Sequence, residues 1–210
     1  MDTAFGPILI VEDVAHVREL LEVTLIHRGY IVVSARDGME ALERIKKEKP
    51  ALILTDIMMP KLDGFALAQQ VRCDPRTEDI PILFISATFI TQEDKNFARD
   101  LGAVTFLEKP IDTQELLLTV GEILTGTDIE IPRPLSDESF HQGYRKRLEA
   151  KLQQKKDQMK RAQRLALSVP PEQRSAFESL LRQTKEQHDQ IEAEIEALMR
   201  DDDSEGDPLA

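Results

Sequence analysis

The chain has 210 residues, a length that suits one globular domain with an appendage or two small domains. Hydrophobic residues make up 41% of it, enough for a buried core, and the formal net charge of −12 argues against a molecule that coats nucleic acid or an anionic membrane. A single cysteine, Cys73, excludes a disulfide framework or a thiolate metal site within one chain.

The first residues, MDTAFGPILIVED, lack the basic start and the long apolar stretch of a signal peptide. No run in the sequence approaches the ~18 apolar residues that a membrane-spanning helix needs. We therefore expect a cytoplasmic protein without a membrane segment.

Residues 1–125 alternate short apolar runs with amphipathic segments. The predicted strands are Ile8–Val11, Ile31–Ser34, Leu52–Thr55, Ile82–Ser86 and Thr105–Leu107. The predicted helices cover 15–27, 38–48, 64–72, 91–100 and 112–124. Five strands that alternate with five helices predict an α/β domain in which helices cover both faces of a parallel sheet.

The chain beyond residue 125 has a different composition. Residues 126–136 are expected to form a proline-stiffened linker, and residues 137–200 two long helices broken at Pro170-Pro171. Pro171 suits the first turn of the second helix. The last residues, 201–210, are acidic and lack apolar content, so we expect a disordered tail.

The two long helices differ in sequence pattern and in charge. The second carries a heptad seam formed by Phe177, Leu181, Thr184, His188, Ile191, Ile195 and Leu198. The weaker seam of the first contains Leu148, Leu152, Met159 and Ala162 and is interrupted by Lys155. Residues 141–167 hold nine basic residues against two acidic ones, whereas residues 168–210 hold four basic against twelve acidic. Such a reversal favours contact between the helices, within one chain or between subunits.

Polar residues follow four of the five predicted strands. They are Glu12 and Asp13, Asp56, Ser86, and Lys109. Because the carboxyl ends of parallel strands share one edge of a sheet, we expect these side chains to converge. Three neighbouring carboxylates repel one another, and Mg²⁺ is the hard cation that such oxygen ligands suit.

This arrangement suits phosphoryl transfer. Asp56 is the expected nucleophile, since a carboxylate can form an acyl phosphate, while Lys109 and the Ser86 hydroxyl would bind the oxygens of the transferring group. We also expect a cis peptide bond before Pro110.

Residues 7–124 resemble the receiver domains of bacterial response regulators. The motifs that carry the resemblance are ILIVED, LILTDIMMPKLDGF around Asp56, FISA and FLEKP, in matching order and spacing over residues 7–124. The resemblance implies a flavodoxin-like sheet of strand order 2-1-3-4-5 and a histidine kinase or phosphotransfer protein as the phosphoryl donor. It implies a signalling switch that catalyses only its own phosphorylation and dephosphorylation, not an enzyme acting on other substrates.

The resemblance also implies individual roles at the site. Asp56 is the phosphoacceptor, and Mg²⁺ would be bound by Asp13 and Asp56, by Glu12 through water and by the Met58 carbonyl. Lys109 would contact the phosphoryl group.

The implied switch pair is Ser86 and Phe106. Ser86 would move toward the phosphoryl group and leave space for the Phe106 ring. The sequence departs mildly from the family pattern here, because Glu12, Ser86 and Phe106 stand where Asp, Thr and Tyr are more familiar.

The C-terminal region resembles no common output domain, and three outputs remain open. The first is a coiled-coil interaction module, either a hairpin or a homodimer through residues 137–200, with a protein as the downstream partner. The second is DNA binding through the basic helix 141–167, which lacks an Asn-rich base-reading face, so we expect DNA not to be a partner. The third is a phosphatase or phosphotransfer output that uses His188-Asp189 or His141.

Overall fold

A computed structural model describes residues 5–87, 92–126 and 134–205. The chain divides into two compact units, Met1–Ser136 and Asp137–Ala210. Most of the predicted linker, residues 127–133, and the last part of the predicted tail, residues 206–210, lie outside the described ranges.

The first unit contains a five-stranded parallel sheet. Its strands are β1 (Ile8–Val11), β2 (Val32–Ala35), β3 (Leu52–Asp56), β4 (Ile82–Ala87) and β5 (Ala103–Lys109), in the order β2-β1-β3-β4-β5. Both the fold class and the strand order predicted from the sequence are confirmed. Each predicted strand is found within two residues of its expected position.

Five helices flank the sheet. They are α1 (Ala15–His27), α2 (Gly38–Lys47), α3 (Gly64–Cys73), α4 (Gln92–Asp100) and α5 (Thr113–Thr125). Aspartates begin three of them: the carboxylates of Asp37, Asp63 and Asp112 accept hydrogen bonds from backbone amides in the first turns of α2, α3 and α5. These caps satisfy amides that have no partner within the helix.

The core lies around the central strands. Ile8, Ile10, Leu52 and Leu54 are completely inaccessible to solvent, and Leu25 from α1 packs against the same cluster. Because helices cover both faces of the sheet, successive residues of a central strand are buried, which explains the uninterrupted apolar runs in the sequence.

The second unit is an antiparallel helical hairpin. Its helices are α6 (Asp137–Ser168) and α7 (Pro171–Glu205). Tyr144 near the start of α6 is hydrogen-bonded to Glu194 near the end of α7, and Lys155 Nζ donates to Gln187 Oε1 over 2.8 Å nearer the connection. Of the two pairings that the sequence left open, the structure therefore shows the one within a chain.

The seam of the hairpin follows the predicted heptad. Thr184 and Ile191 of α7 are buried, and the other five predicted seam residues are half-buried. On α6, Leu148 and Ala162 are buried as predicted, and the seam continues toward the N-terminus through Phe140 and Tyr144, whose rings stack.

The second helix ends later than its predicted end at residue 200. The helical backbone of α7 continues to Glu205. Acidic composition does not itself stop a helix, and Gly206 and Pro208 are the first strong helix breakers in this part of the sequence. Residues 201–205 thus belong to the helix and not to a disordered tail.

Among the described residues, no helix combines the length and the apolar character needed to cross a membrane.

Candidate functional site

The predicted site residues lie at the carboxyl edge of the sheet. Glu12 and Asp13 follow β1, Asp56 ends β3, Ser86 is the penultimate residue of β4, and Lys109 ends β5. Since β1 and β3 are neighbours in the sheet, the three carboxylates come from adjacent strand ends.

The three carboxylates form a compact cluster. One oxygen each of Glu12, Asp13 and Asp56 lies within 4.8 Å of the other two. Glu12 and Asp56 are buried, whereas Asp13 is exposed. Carboxylate oxygens at this spacing are the ligand set that a hard divalent cation prefers, so the residues fit a magnesium site.

Lys109 neutralises part of this charge. Its Nζ donates to Asp56 Oδ2 over 2.6 Å and to Glu12 Oε2 over 2.7 Å. Burial by itself would lower the pKa of Lys109, but the hydrogen bonds to Asp56 and Glu12 outweigh it and raise the pKa above its usual range. The ammonium group is therefore charged at neutral pH.

The pKa of Glu12 is also raised, and for a carboxyl group this favours the neutral form. Burial raises the pKa of its carboxyl, and the hydrogen bond from Lys109 offsets only part of that effect. A neighbouring cation such as the Lys109 ammonium favours the ionised form of Glu12 and opposes the effect of burial.

The Asp56 side chain is held through both of its oxygens. Oδ1 accepts a hydrogen bond of 3.1 Å from the Met58 amide, and Oδ2 accepts the one from Lys109. Gly64 allows the backbone to close behind Asp56, since a Cβ at this position would lie 2.2 Å from the Asp56 carbonyl oxygen. The close approach of two backbone segments is therefore what excludes a side chain here.

Arg18 is a site residue that the sequence reasoning missed. Its Nη1 donates to the Glu12 carbonyl over 2.6 Å and approaches the Asp13 carbonyl at 3.4 Å. The guanidinium thus supports the turn that presents both carboxylates. The only sequence signal was a basic residue near the start of α1. Its role is visible only in the structure, where the Arg18 side chain reaches the carbonyls after β1.

The loop after β3 is tied to α2. Lys61 has a positive φ of 67° and its Nζ lies 2.6 Å from Asp37 Oδ2. The hydrogen bond from Lys61 holds the pKa of the Asp37 carboxyl below its usual value. This ion pair was also not anticipated, because the two residues lie far apart in the sequence.

The predicted switch residues lie beside the site. Ser86 is buried and is opposite Glu108 in the β4–β5 register, next to Lys109. Phe106 is half-buried in β5, and its ring centroid lies 5.7 Å from that of Phe84. The peptide bond between Lys109 and Pro110 is cis, as expected.

The family model of the response regulator receiver domain matches residues 8–121 of the chain. The chain belongs to the response regulator receiver family.

Solved receiver structures agree with the fold of the first unit. The chemotaxis protein CheY4 of Vibrio cholerae is 33% identical, with a TM-score of 0.55, and the alignment covers 58% of this chain and all of that one. A putative response regulator from Chloroflexus aurantiacus is 38% identical, with a TM-score of 0.54, over 57% of this chain and 97% of that one.

Sequence relatives carry the receiver within longer proteins. The DNA-binding dual master transcriptional regulator RpaA of Synechocystis is 40% identical over 121 residues, which are 58% of this chain and 50% of that protein. A probable transcriptional regulator of Porphyridium aerugineum, ycf27, is 38% identical over 58% of this chain and 49% of its own length. The matched segment thus spans about half of each relative. Their names give no support to our expectation that DNA is not a partner.

Proposed function

We propose that the chain is a phosphorelay switch that accepts a phosphoryl group on Asp56 from a sensor histidine kinase or a phosphotransfer protein. The observation that carries the proposal is the contact of one ammonium group, that of Lys109, with both Asp56 and Glu12 in a cluster of three carboxylates. A cytoplasmic location fits this role, and we propose no catalysis beyond the chain's own phosphorylation and dephosphorylation.

In the transfer step, an Asp56 oxygen bonds to phosphorus while the bond from phosphorus to the donor nitrogen breaks. The electron pair of that bond leaves with the donor imidazole. Lys109 already touches the nucleophile, so its ammonium needs only a small movement to reach an oxygen of the incoming group. Asp56 would thus become an acyl phosphate without a separate general base.

The metal ligands we propose are Asp13, Asp56 and the Met58 carbonyl, with Glu12 acting through water. Bound Mg²⁺ would supply Lewis-acid stabilisation of the charge on the transferring group. The protein contributes the fixed spacing of the carboxylates and the Lys109 ammonium, which limits their mutual repulsion before the cation binds.

Ser86 and Phe106 form the proposed switch. A phosphoryl group adds about −1.5 to −2 charge and three acceptor oxygens, to which the Ser86 hydroxyl can donate. The position of Ser86 at the end of the strand that pairs with β5 supports this role. Movement of Ser86 would leave space for the ring of Phe106.

Labelling with acetyl phosphate tests the phosphoacceptor. We expect Asp56→Asn to abolish the Mg²⁺-dependent, acid-labile uptake of phosphate seen in the wild type. Asp100→Asn is a matched control, because Asp100 is an exposed carboxylate at the end of α4. Uptake that persists in Asp56→Asn would refute the assignment, as would a wild type that takes up no phosphate.

For the output we propose that the hairpin binds a partner protein or a second copy of the chain. Support comes from its opposite charges, since α6 carries nine basic against four acidic residues and α7 four against eleven. Sedimentation with and without beryllofluoride and Mg²⁺ tests the homodimer. An unchanged mass in both states would exclude a dimer switch and leave a partner protein as the output.

DNA binding is the second candidate output. The observation that favours it is a set of exposed basic residues on α6: Arg145, Lys146, Lys156, Lys160, Arg161 and Arg164. Phosphate contacts would make binding to random duplex DNA fall steeply with salt. No binding at low salt would exclude this output.

Phosphotransfer through the hairpin has less support. The His188 side chain is only 14% exposed, lies in the seam and contacts Asp189 at 3.1 Å. A histidine packed between two helices is poorly placed to meet a phosphoryl donor.

A further inference from the structure

A row of aromatic rings leads from the proposed switch residue to α3. The Phe106 ring on β5 lies 5.7 Å from Phe84 on β4, and Phe84 lies 5.1 Å from Phe65 on α3 in an edge-to-face contact. Phe84 and Phe65 are completely buried. Because such interiors are close-packed, a new position of the Phe106 ring requires its neighbours to move.

Gln69 lies one helical turn after Phe65, on the same face of α3. It is only 6% exposed, and the residues around it on the helix, Ala68 and Val71, are buried and apolar. Its Nε2 donates to the Leu135 carbonyl over 3.0 Å, while its Oε1 is buried and accepts no hydrogen bond from the described residues. Burying an amide oxygen without a hydrogen-bond donor lowers the stability of the fold, and an apolar residue at position 69 would avoid this cost.

Leu135 lies two residues before α6 begins at Asp137. The hydrogen bond from Gln69 therefore fixes the chain on the receiver just before the helical hairpin starts. We call this contact the linker anchor.

We propose that the linker anchor couples the phosphorylation site to the hairpin: it is made in the unphosphorylated receiver and is broken when Phe106 moves. The inference rests on the proposed phosphorylation of Asp56 and adds a route through Phe84, Phe65 and Gln69. Packed side chains with two discrete arrangements can carry such coupling. The linker anchor is sensitive to such a rearrangement, because Gln69 Nε2 and the Leu135 oxygen are 3.0 Å apart and a further separation of about 0.6 Å would break the hydrogen bond.

Hydrogen exchange of the full-length chain tests the proposal. We expect beryllofluoride with Mg²⁺ to accelerate exchange in the peptide covering 134–148 about fivefold, the factor for loss of one ordinary hydrogen bond. In Gln69→Leu, exchange of this peptide should already be fast and should not respond. Gln70→Leu is the control, because Gln70 is the exposed neighbour on α3, and it should behave as the wild type does.

A second variant interrupts the route and leaves the linker anchor in place. Phe65→Leu removes the ring between Phe84 and α3, so we expect slow exchange in 134–148 both with and without beryllofluoride. The side-chain amide protons of Gln69, followed by NMR in the wild type, report the anchor directly and should change resonance position on activation.

Phosphate uptake is measured in every variant, which separates this inference from the proposed function. If Asp56 is phosphorylated and Gln69→Leu responds to beryllofluoride as the wild type does, the linker anchor carries no signal. The same conclusion follows if the Gln69 resonances of the activated wild type are unchanged. Absence of uptake in the wild type would instead refute the proposed function.

Discussion

The receiver and the hairpin are stabilised in different ways. In the receiver, the central strands are completely buried, and the polar residues at their ends converge on one site. In the hairpin, a single seam holds two helices together, and most of its residues are only half-buried. A closed core holds its functional side chains at the ends of buried strands, so short sequence motifs predict the site. A two-helix seam leaves most side chains exposed, where a partner can contact them.

The substitution Gly64→Ala tests how tightly the receiver core is packed, and we expect it to have the largest effect. We expect Gly64→Ala to lower the free energy of unfolding of the receiver by about 3 kcal/mol, because its Cβ would collide with the Asp56 carbonyl. Urea unfolding followed by hydrogen exchange measures the effect, and exchange in α7 should be unchanged.

Gly121→Ala is the matched control. A Cβ at this position in α5 would meet no atom within 4 Å, so the change should stabilise the helix by up to ~1 kcal/mol. Equal destabilisation by both substitutions would contradict the close-approach explanation for Gly64.

Arg72 tests a buried charge that has no role at the site. Its guanidinium donates to the carbonyls of Glu78, Ile80 and Gly102 at 2.8–3.0 Å, and burial lowers its pKa to about 10. We expect Arg72→Met to cost about 2 kcal/mol of receiver stability, since three carbonyls lose their donor.

The control for Arg72 is Arg76→Met. The Arg76 side chain is 80% exposed, and its loss should change the unfolding free energy by less than ~0.5 kcal/mol. If Arg76→Met lowers the unfolding free energy as much as Arg72→Met does, the three buried hydrogen bonds of Arg72 are not the cause of the loss.

A substitution of Lys155 tests what a buried charge costs in the seam of the hairpin. It lies in the seam, and burial lowers the pKa of its ammonium group. We expect Lys155→Leu to stabilise the hairpin by about 1 kcal/mol, whereas Lys156→Leu on the exposed face should not. Thermal unfolding and exchange within α6 report the difference, and a destabilised Lys155→Leu hairpin would show that the bond to Gln187 outweighs the burial of charge.

The pH dependence of the Lys155 effect follows from the direction of that shift. The folded hairpin binds this proton less tightly than the unfolded chain does, so the cost of burying the charge is fully present at neutral pH. It disappears as the pH rises through the lowered pKa to the ordinary value of 10.5. The advantage of Lys155→Leu should therefore shrink at high pH.

The fold of the receiver could be predicted because its signals are local. Strand β1 and helix α1 begin and end where the apolar runs and the amphipathic period indicated. Strand β5 is longer than predicted, Ala103–Lys109 in place of Thr105–Leu107, because pairing with β4 extends it at both ends, and its last two residues, Glu108 and Lys109, are charged.

The site was predictable only in part. Parallel topology brings Glu12, Asp13, Asp56 and Lys109 together, and that can be inferred from the strand ends alone. The hydrogen bonds from Arg18 to the backbone, and from Gln69 to Leu135, depend on packing between segments that are remote in the sequence.

The length of α6 has a mechanical consequence. Thirty-two residues at ~1.5 Å each make a rod of about 48 Å from Asp137 to the hairpin tip. A tilt of about 10° at its first residue would displace the tip by about 8 Å for a rod of this length. If the linker anchor is released as we propose, the long α6 would thus convert a sub-ångström change at the Leu135 carbonyl into a displacement of several ångströms at the hairpin tip.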